Sequence, residues 1–244
     1  MTAATIRTSP LRRREKSHGL LRPALVAVAA AIALGAVAFV VDTVIEDYRD
    51  GIVLRGLDGK PSPVAMIVAG EPMEVPANMI RFRSDRRGGA LDRLSLLLHW
   101  PDLGGFSEAV AEDFKSPAPT APLIFVTISA RDTHLDATAR LKPVYARFFE
   151  GPPITGPAGL VGHRLAADSG YGGEIVFAAP GPRGFVARCL AEQSSEIAAT
   201  CIRDVNVGQG LSMLYRFNRS MLADWQAMDA GLVSTVSAFL RRRG

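Results

Sequence analysis

The chain has 244 residues and a net charge of +4, and 48% of its residues are hydrophobic. This composition is that of a folded protein and excludes a wholly disordered chain. The positive charge does not indicate nucleic-acid binding, because it is confined to the N-terminus. Six of the 28 basic residues lie within 1–22 beside one acid, and the rest of the chain carries 22 basic and 23 acidic residues.

A run of 19 residues without a charge occupies 23–41. A helix of that length spans about 28 Å, close to the ~30 Å hydrocarbon core of a bilayer. Because basic residues precede the run and acidic residues follow it, the N-terminus is placed in the cytoplasm. We predict a cytoplasmic tail over 1–22, a transmembrane helix over 23–41, a linker over 42–50 and a periplasmic domain over 51–244. The excess of arginine over lysine indicates a bacterial source, and hence an inner-membrane protein.

The alternative for this apolar run is a cleaved signal peptide. The segment Ala36-Val37-Ala38 has the small-residue form that signal peptidase accepts. However, the run is longer than the ~7–15 residues of a signal-peptide core, and it continues beyond that segment. The length therefore favours an uncleaved anchor.

The periplasmic domain contains the two cysteines of the chain, Cys189 and Cys201. They lie in predicted strands over 184–190 and 200–207, joined by a polar stretch. A hairpin of these strands places the cysteines opposite each other, near bridging distance, in a compartment where disulfides form. Zinc would need two further ligands at close spacing, and none is nearby in the sequence. We therefore predict a disulfide.

The pattern of the domain is that of an α+β fold with a mainly antiparallel sheet. Strands are predicted at 52–57, 64–69, 73–83, 91–100, 123–130, 160–166, 174–179, 184–190, 200–207 and 211–217. A helix is predicted over 133–149, interrupted at Pro143, and a loop over 151–159. A second helix, over 219–241 with Asn218 as its N-cap, has apolar residues at helical spacing, so we expect it to be amphipathic and to pack on the sheet.

No segment of the sequence matches a catalytic or cofactor motif, so we predict no cofactor, no catalytic site and no metal site. The strongest metal candidate is the group Asp132, His134 and Asp136. The same spacing fits a helix cap with Thr133 as N-cap, and its position between a strand and a helix favours the cap. An envelope enzyme that uses Asp132, His134 or His163 is the alternative function.

Arginines are concentrated around Gly88-Gly89, which we predict to be the tip of a hairpin. Five lie within thirteen residues: Arg81, Arg83, Arg86, Arg87 and Arg93. Guanidinium groups bind carboxylates and phosphates. The alternative is that these charges only prevent the edge of the hairpin from pairing with another strand. The sequence thus predicts a membrane-anchored, non-catalytic binding or scaffold protein of the cell envelope. Its expected partners are the inner membrane and an envelope protein or an anionic lipid or polymer, with no nucleic acid.

Overall fold

The computed structural model describes residues 56–115, 121–132, 135–179, 181, 184–191 and 199–240. The predicted tail, transmembrane helix and linker lie outside these residues, as does most of the predicted strand at 52–57. Within the described ranges, no helix is long and apolar enough to cross a membrane. All described residues belong to one contact unit, Asp50–Gly244.

A large antiparallel sheet is the main feature of this unit. The strands formed by the described residues are β1 (Pro63–Val68), β2 (Glu71–Pro76), β3 (Gly89–Leu91), β4 (Arg93–His99), β5 (Leu123–Ala130), β6 (Phe149–Thr155), β7 (Val161–Leu165), β8 (Glu174–Ala179), β9 (Phe185–Leu190), β10 (Thr200–Val207) and β11 (Leu211–Asn218). The helices are α1 (Ala111–Lys115) and α2 (Trp225–Phe239). The large sheet has the strand order β4-β5-β11-β10-β9-β8-β7-β6, and a small sheet has the order β2-β1-β3.

The main core lies between one face of the large sheet and a layer made of α2 and the small sheet. Alternate residues of β4, namely Leu94, Leu96 and Leu98, are fully buried on this face, as period-two spacing predicts. Met228 and Leu232 of α2 are also fully buried against it. Each such side chain contributes roughly 1.5–3 kcal/mol by leaving water. The predicted α+β class, with a C-terminal helix packed on an antiparallel sheet, is confirmed.

The C-terminal helix begins with a 3-10 segment, Arg219–Asp224, which continues into α2. Asn218 caps this segment, because its side-chain oxygen accepts a hydrogen bond from the backbone N–H of Ser220 at 2.8 Å. The predicted N-cap is confirmed. The first six residues differ from the prediction because they form a 3-10 helix. The α-helix also ends at Phe239, and Leu240 forms a bridge with Met73.

The predicted helix over 133–149 is wrong. Residues 137–144 form turns, Tyr145–Phe148 form a 3-10 turn, and β6 begins at the next residue. Pro143 lacks the N–H that a continuous helix would need. The carboxylate of Asp136 accepts a hydrogen bond from the N–H of Ala139 at 2.9 Å, so Asp136 caps a turn. The proposed N-cap Thr133 lies outside the described residues.

Two segments at the edges of the large sheet differ from the prediction. The predicted strand over 73–83 ends at Pro76, and Ile80 then forms a single bridge with Leu96 of β4. At the opposite edge, part of the predicted loop over 151–159 belongs to β6. Its register with β7 shifts between Glu150 and Ile154. The two prolines within this shift have no N–H to donate, which fits an edge position.

The large sheet has a narrow seam between β9 and β10. These strands pair at only two positions, Cys189 with Cys201 and Arg188 with Ile202. By comparison, β8 and β9 pair at six positions and β10 and β11 at eight. A disulfide joins Cys189 to Cys201 across the seam, with an S–S distance of 2.01 Å. The predicted hairpin register of the two cysteines is confirmed.

Candidate functional sites

The predicted arginine hairpin is correct only in part: Ile80 and Leu96 form an antiparallel bridge, but the glycines between them are not a tight hairpin tip. Gly88 and Gly89 follow a 3-10 turn, Asp85–Arg87, and lead into β3, which pairs in parallel with β1. Glycine is needed at position 88, because a Cβ atom there would lie 2.5 Å from the backbone oxygen of Ala65. The five arginines are therefore distributed over this turn, the edge beside β4 and β4 itself.

Arg86 has a structural role. Its Nε and Nη2 atoms donate hydrogen bonds to the backbone oxygen of Ile80 at 3.1 and 2.9 Å, and Nη2 also donates to Gly56. Burial lowers the pKa of Arg86, against the attraction of Asp58. This half-buried side chain holds the turn together, so it is not free for a partner. Arg83 and Arg87 are exposed.

Two of the predicted arginines lie on the face of the large sheet that points away from α2. Arg93 faces outward from β4, and Arg81 lies beside it at the sheet edge, where its N–H donates to Ser95 at 2.9 Å. Arg216 of β11 lies on the same face, opposite Phe125 of β5. The guanidinium carbons of Arg81 and Arg216 lie 5.1 and 4.9 Å from the ring centre of Phe125. Cation–π contacts of this kind hold the guanidinium groups over the sheet.

Large apolar side chains accompany these arginines at the surface. Phe82 is 47% exposed and Leu214 is 43% exposed. We use the term arginine face for the surface formed by Arg81, Phe82, Arg93, Leu214 and Arg216. Aromatic, aliphatic and arginine side chains together are typical of protein-binding surfaces.

The arginine face carries positive charge that its surroundings do not neutralise. The acidic residue that pairs across the strands with Leu214 is Asp204, and its carboxylate already forms an ion pair with Arg140. Within the part of the chain that the structure describes, Arg81, Arg93 and Arg216 form no ion pair. Their charges are therefore available to an anionic partner.

A buried ion pair lies on the other side of the large sheet, between β10 and α2. Arg203 is 4% exposed, and its Nε atom donates to Asp229 Oδ1 at 2.9 Å while Nη2 donates to Oδ2 at 3.2 Å. The hydroxyl of Tyr215 donates to the same Oδ1 at 2.6 Å. The remaining guanidinium nitrogen, Nη1, donates to Thr138 Oγ1 at 2.9 Å and to the backbone oxygen of Val186 in β9 at 3.2 Å. Arg203 thus bridges the seam.

The protonation states of this network follow from burial. Burial, with the neighbouring Asp229 carboxylate, raises the pKa of Tyr215 well above its usual value of 10.0. Tyr215 is therefore a permanent hydrogen-bond donor. Burial opposes the charge on Arg203, whereas its contact with the Asp229 carboxylate favours the charge, and the pKa of Arg203 is raised.

A cavity of about 710 Å³ opens beside this ion pair. Arg203 and Asp229 form its polar floor, while Trp225, Ala230 and Val233 line its apolar wall. Its volume lies within the ~300–1,000 Å³ range of small-ligand sites. No motif in the sequence indicates this site.

The residues of the alternative enzyme hypothesis do not form one site. Asp132 is exposed just after β5, His163 lies on β7, and His134 is outside the described residues. Five strand spacings separate β5 from β7, or about 24 Å at ~4.8 Å each. The ring of His163 stacks on Phe149 with centroids 4.1 Å apart, and burial lowers its pKa below 6.5. Among the described residues, no three potential ligands are placed to hold a metal ion.

Comparisons with known proteins identify only the fold. No family model matches the chain, and no curated protein matches its sequence. The fold resembles that of Smlt3025, an immunity protein of the Stenotrophomonas maltophilia type IV secretion system, with a TM-score of 0.52 and 15% identity over 75% of this chain and 95% of that one. It also resembles FrpD, an iron-regulated outer membrane lipoprotein of Neisseria meningitidis, with a TM-score of 0.50 and 9% identity over 76% and 96% of the two chains.

Proposed function

We propose that this chain is a non-catalytic binding protein of the bacterial cell envelope that holds an acidic protein on its arginine face. The observation that carries this proposal is a set of three arginines without ion-pair partners in the described structure, next to exposed Phe82 and Leu214. Arginine pairs with carboxylates through two parallel hydrogen bonds, and the exposed apolar side chains add area that a protein partner would bury.

The proposed location is the inner membrane, with the N-terminus in the cytoplasm and residues 51–244 in the periplasm. The asymmetric charges around 23–41 support this topology. The disulfide supports an oxidising compartment. Two proteins with a similar fold, an immunity protein of a secretion system and an outer membrane lipoprotein, are in keeping with an envelope role.

Binding is favoured over catalysis because the two described residues of the enzyme hypothesis are far apart. Asp132 follows β5 and His163 lies on β7, and four other strands lie between β5 and β7 in the large sheet. An acidic protein is favoured over lipid because the arginines lie on a broad strand surface with exposed Phe82 and Leu214 among them. A phospholipid headgroup would use the charges and leave those apolar side chains uncovered.

The topology can be measured with reporter fusions after Gly244. Alkaline phosphatase, which folds only in the periplasm, should be active in this fusion, and a green fluorescent protein that matures only in the cytoplasm should stay dark. The N-terminal residues of the mature protein should also be retained. The opposite reporter pattern, or a mature N-terminus at Phe39, would contradict the proposed anchor.

The arginine face can be tested by photocrosslinking in an envelope extract, to which salt or vesicles can be added. A photoreactive amino acid at Phe82 or Leu214 should crosslink to an acidic envelope protein, whereas one at Val161, an exposed residue on β7, should not. Changing Arg81, Arg93 and Arg216 together to glutamine should reduce the yield at least tenfold, because three charge-assisted contacts are lost. High salt should have the same effect, since exposed charges are screened over ~8–10 Å.

The matched control removes the same charge elsewhere. Lys142, Arg147 and Arg164 are exposed and lie outside the arginine face, so changing them to glutamine should leave the crosslinks unchanged. An equal loss of crosslink yield in both triple variants would show a general effect of charge and contradict binding at the arginine face. A third result, in which only anionic vesicles compete with crosslinking, would identify lipid as the partner and refute the protein proposal.

A further inference from the structure

The cavity beside Arg203 and Asp229 is separate from the arginine face. Arg203 and Tyr215 point from neighbouring strands toward α2, whereas the arginine face lies on the opposite side of the sheet. The cavity lies where the seam leaves β9 and β10 unpaired, and Arg203 is the side chain that crosses this gap to Val186. A ligand in this cavity would therefore contact α2 and the ion pair at the same time.

The ion pair retains one donor and one acceptor. A guanidinium group has five N–H donors, and the described contacts of Arg203 use four, which leaves the second hydrogen of Nη2. On Asp229, Oδ1 accepts two hydrogen bonds and Oδ2 accepts one. Nη2 and Oδ2 are 3.2 Å apart, so the unused N–H and the unused lone pair lie side by side.

We propose that this cavity binds a ligand with a primary amide group attached to an apolar body, because a primary amide presents its oxygen and one N–H on the same side. The amide oxygen would accept from Arg203 Nη2, and the amide N–H would donate to Asp229 Oδ2. The apolar body would lie against Trp225 and Val233. The charges of Arg203 and Asp229 cancel, so a charged ligand would lose hydration without finding an unpaired counter-charge at the floor.

A matched series of small molecules tests this chemistry directly. The probes are 3-phenylpropanamide, 3-phenylpropanoate and 3-phenylpropylamine, which have the same apolar body and differ in the polar group. Saturation-transfer NMR on the full chain in lipid nanodiscs should show that the amide binds at least tenfold more tightly than the acid or the amine. Equal affinities would show a merely apolar pocket, and an absence of binding by all three would also overturn the proposal.

Two tryptophan substitutions on α2 locate the binding. Ala230 and Ala227 are both exposed, but only Ala230 lines the cavity. Ala230→Trp should fill the cavity and abolish the amide signal, whereas Ala227→Trp should retain it. Loss in both variants, or in neither, would contradict binding at this site. Both variants keep the arginine face intact, so their results are independent of the proposed protein partner.

The primary amide could belong to a small molecule or to an asparagine or glutamine side chain of a polypeptide. Acetyl-Phe-Gln-N-methylamide carries a phenyl group beside a side-chain amide, and it separates these sources. Binding at least tenfold tighter than that of 3-phenylpropanamide would assign the site to a peptide segment. Equal or weaker binding would assign it to a small amide.

Discussion

Removal of the disulfide should lower the free energy of unfolding by about 2–4 kcal/mol, the usual contribution of a native cross-link. The bond joins residues 12 apart in sequence, and it lies at the seam, where only two residue pairs connect β9 to β10. The unfolded chain gains freedom when the bond is absent, and the folded sheet loses a covalent connection at its narrowest point. The variant to measure is Cys189→Ala/Cys201→Ala.

Urea titration of the full chain in mild detergent, followed by pulse proteolysis, provides the measurement. Reduction of the unmodified protein should produce the same loss, and the double variant should not respond to reductant. An unfolding midpoint that is unchanged in the double variant would show that the bond contributes nothing to stability.

Asp229→Ala should destabilise the protein by about 3–5 kcal/mol, because it leaves the Arg203 charge buried without its partner. The Tyr215 hydroxyl also loses its acceptor. The same urea titration measures this loss. Asp92 is exposed and provides the control, since Asp92→Ala should stay within about 0.5 kcal/mol of the unmodified protein.

A double replacement separates the ion pair from general packing damage. Arg203→Met/Asp229→Leu removes both charges and keeps most of the volume, so it should cost less than Asp229→Ala alone. If the double variant is the less stable of the two, the loss comes from packing and the ion-pair explanation is wrong. Neither change involves the arginine face.

Some strands are predicted from the sequence with the correct bounds. In these strands, the residues that favour a strand all lie within the segment itself. Residues 123–130, 174–179 and 200–207 are examples, since each contains β-branched and apolar residues and is followed by turn residues or a polar stretch. By contrast, β6 contains Gly151 and two prolines, so its local preference is for a loop. Its strand conformation depends on pairing with β7, and the residues of the segment alone do not reveal that pairing.

The candidate sites are harder to predict because they join distant parts of the chain. Arg203 and Asp229 are 26 residues apart and belong to no motif. A local signal existed for each: Arg203 shares a strand face with the inward-pointing Cys201, and Asp229 lies on the buried side of α2 beside Met228. Arg216 gave no such signal, since its place beside Arg81 depends on β11 lying next to β5.

The edges of the large sheet determine whether neighbouring copies on a crowded membrane can pair through their strands. Copies held on one surface by the proposed anchor diffuse in two dimensions and collide often, and open strands could then join neighbouring copies into ribbons. Ile80 already occupies the middle of one outer strand, at Leu96, and Pro152 and Pro153 remove donors from the other. Collisions between copies should therefore not extend the large sheet from one copy to the next.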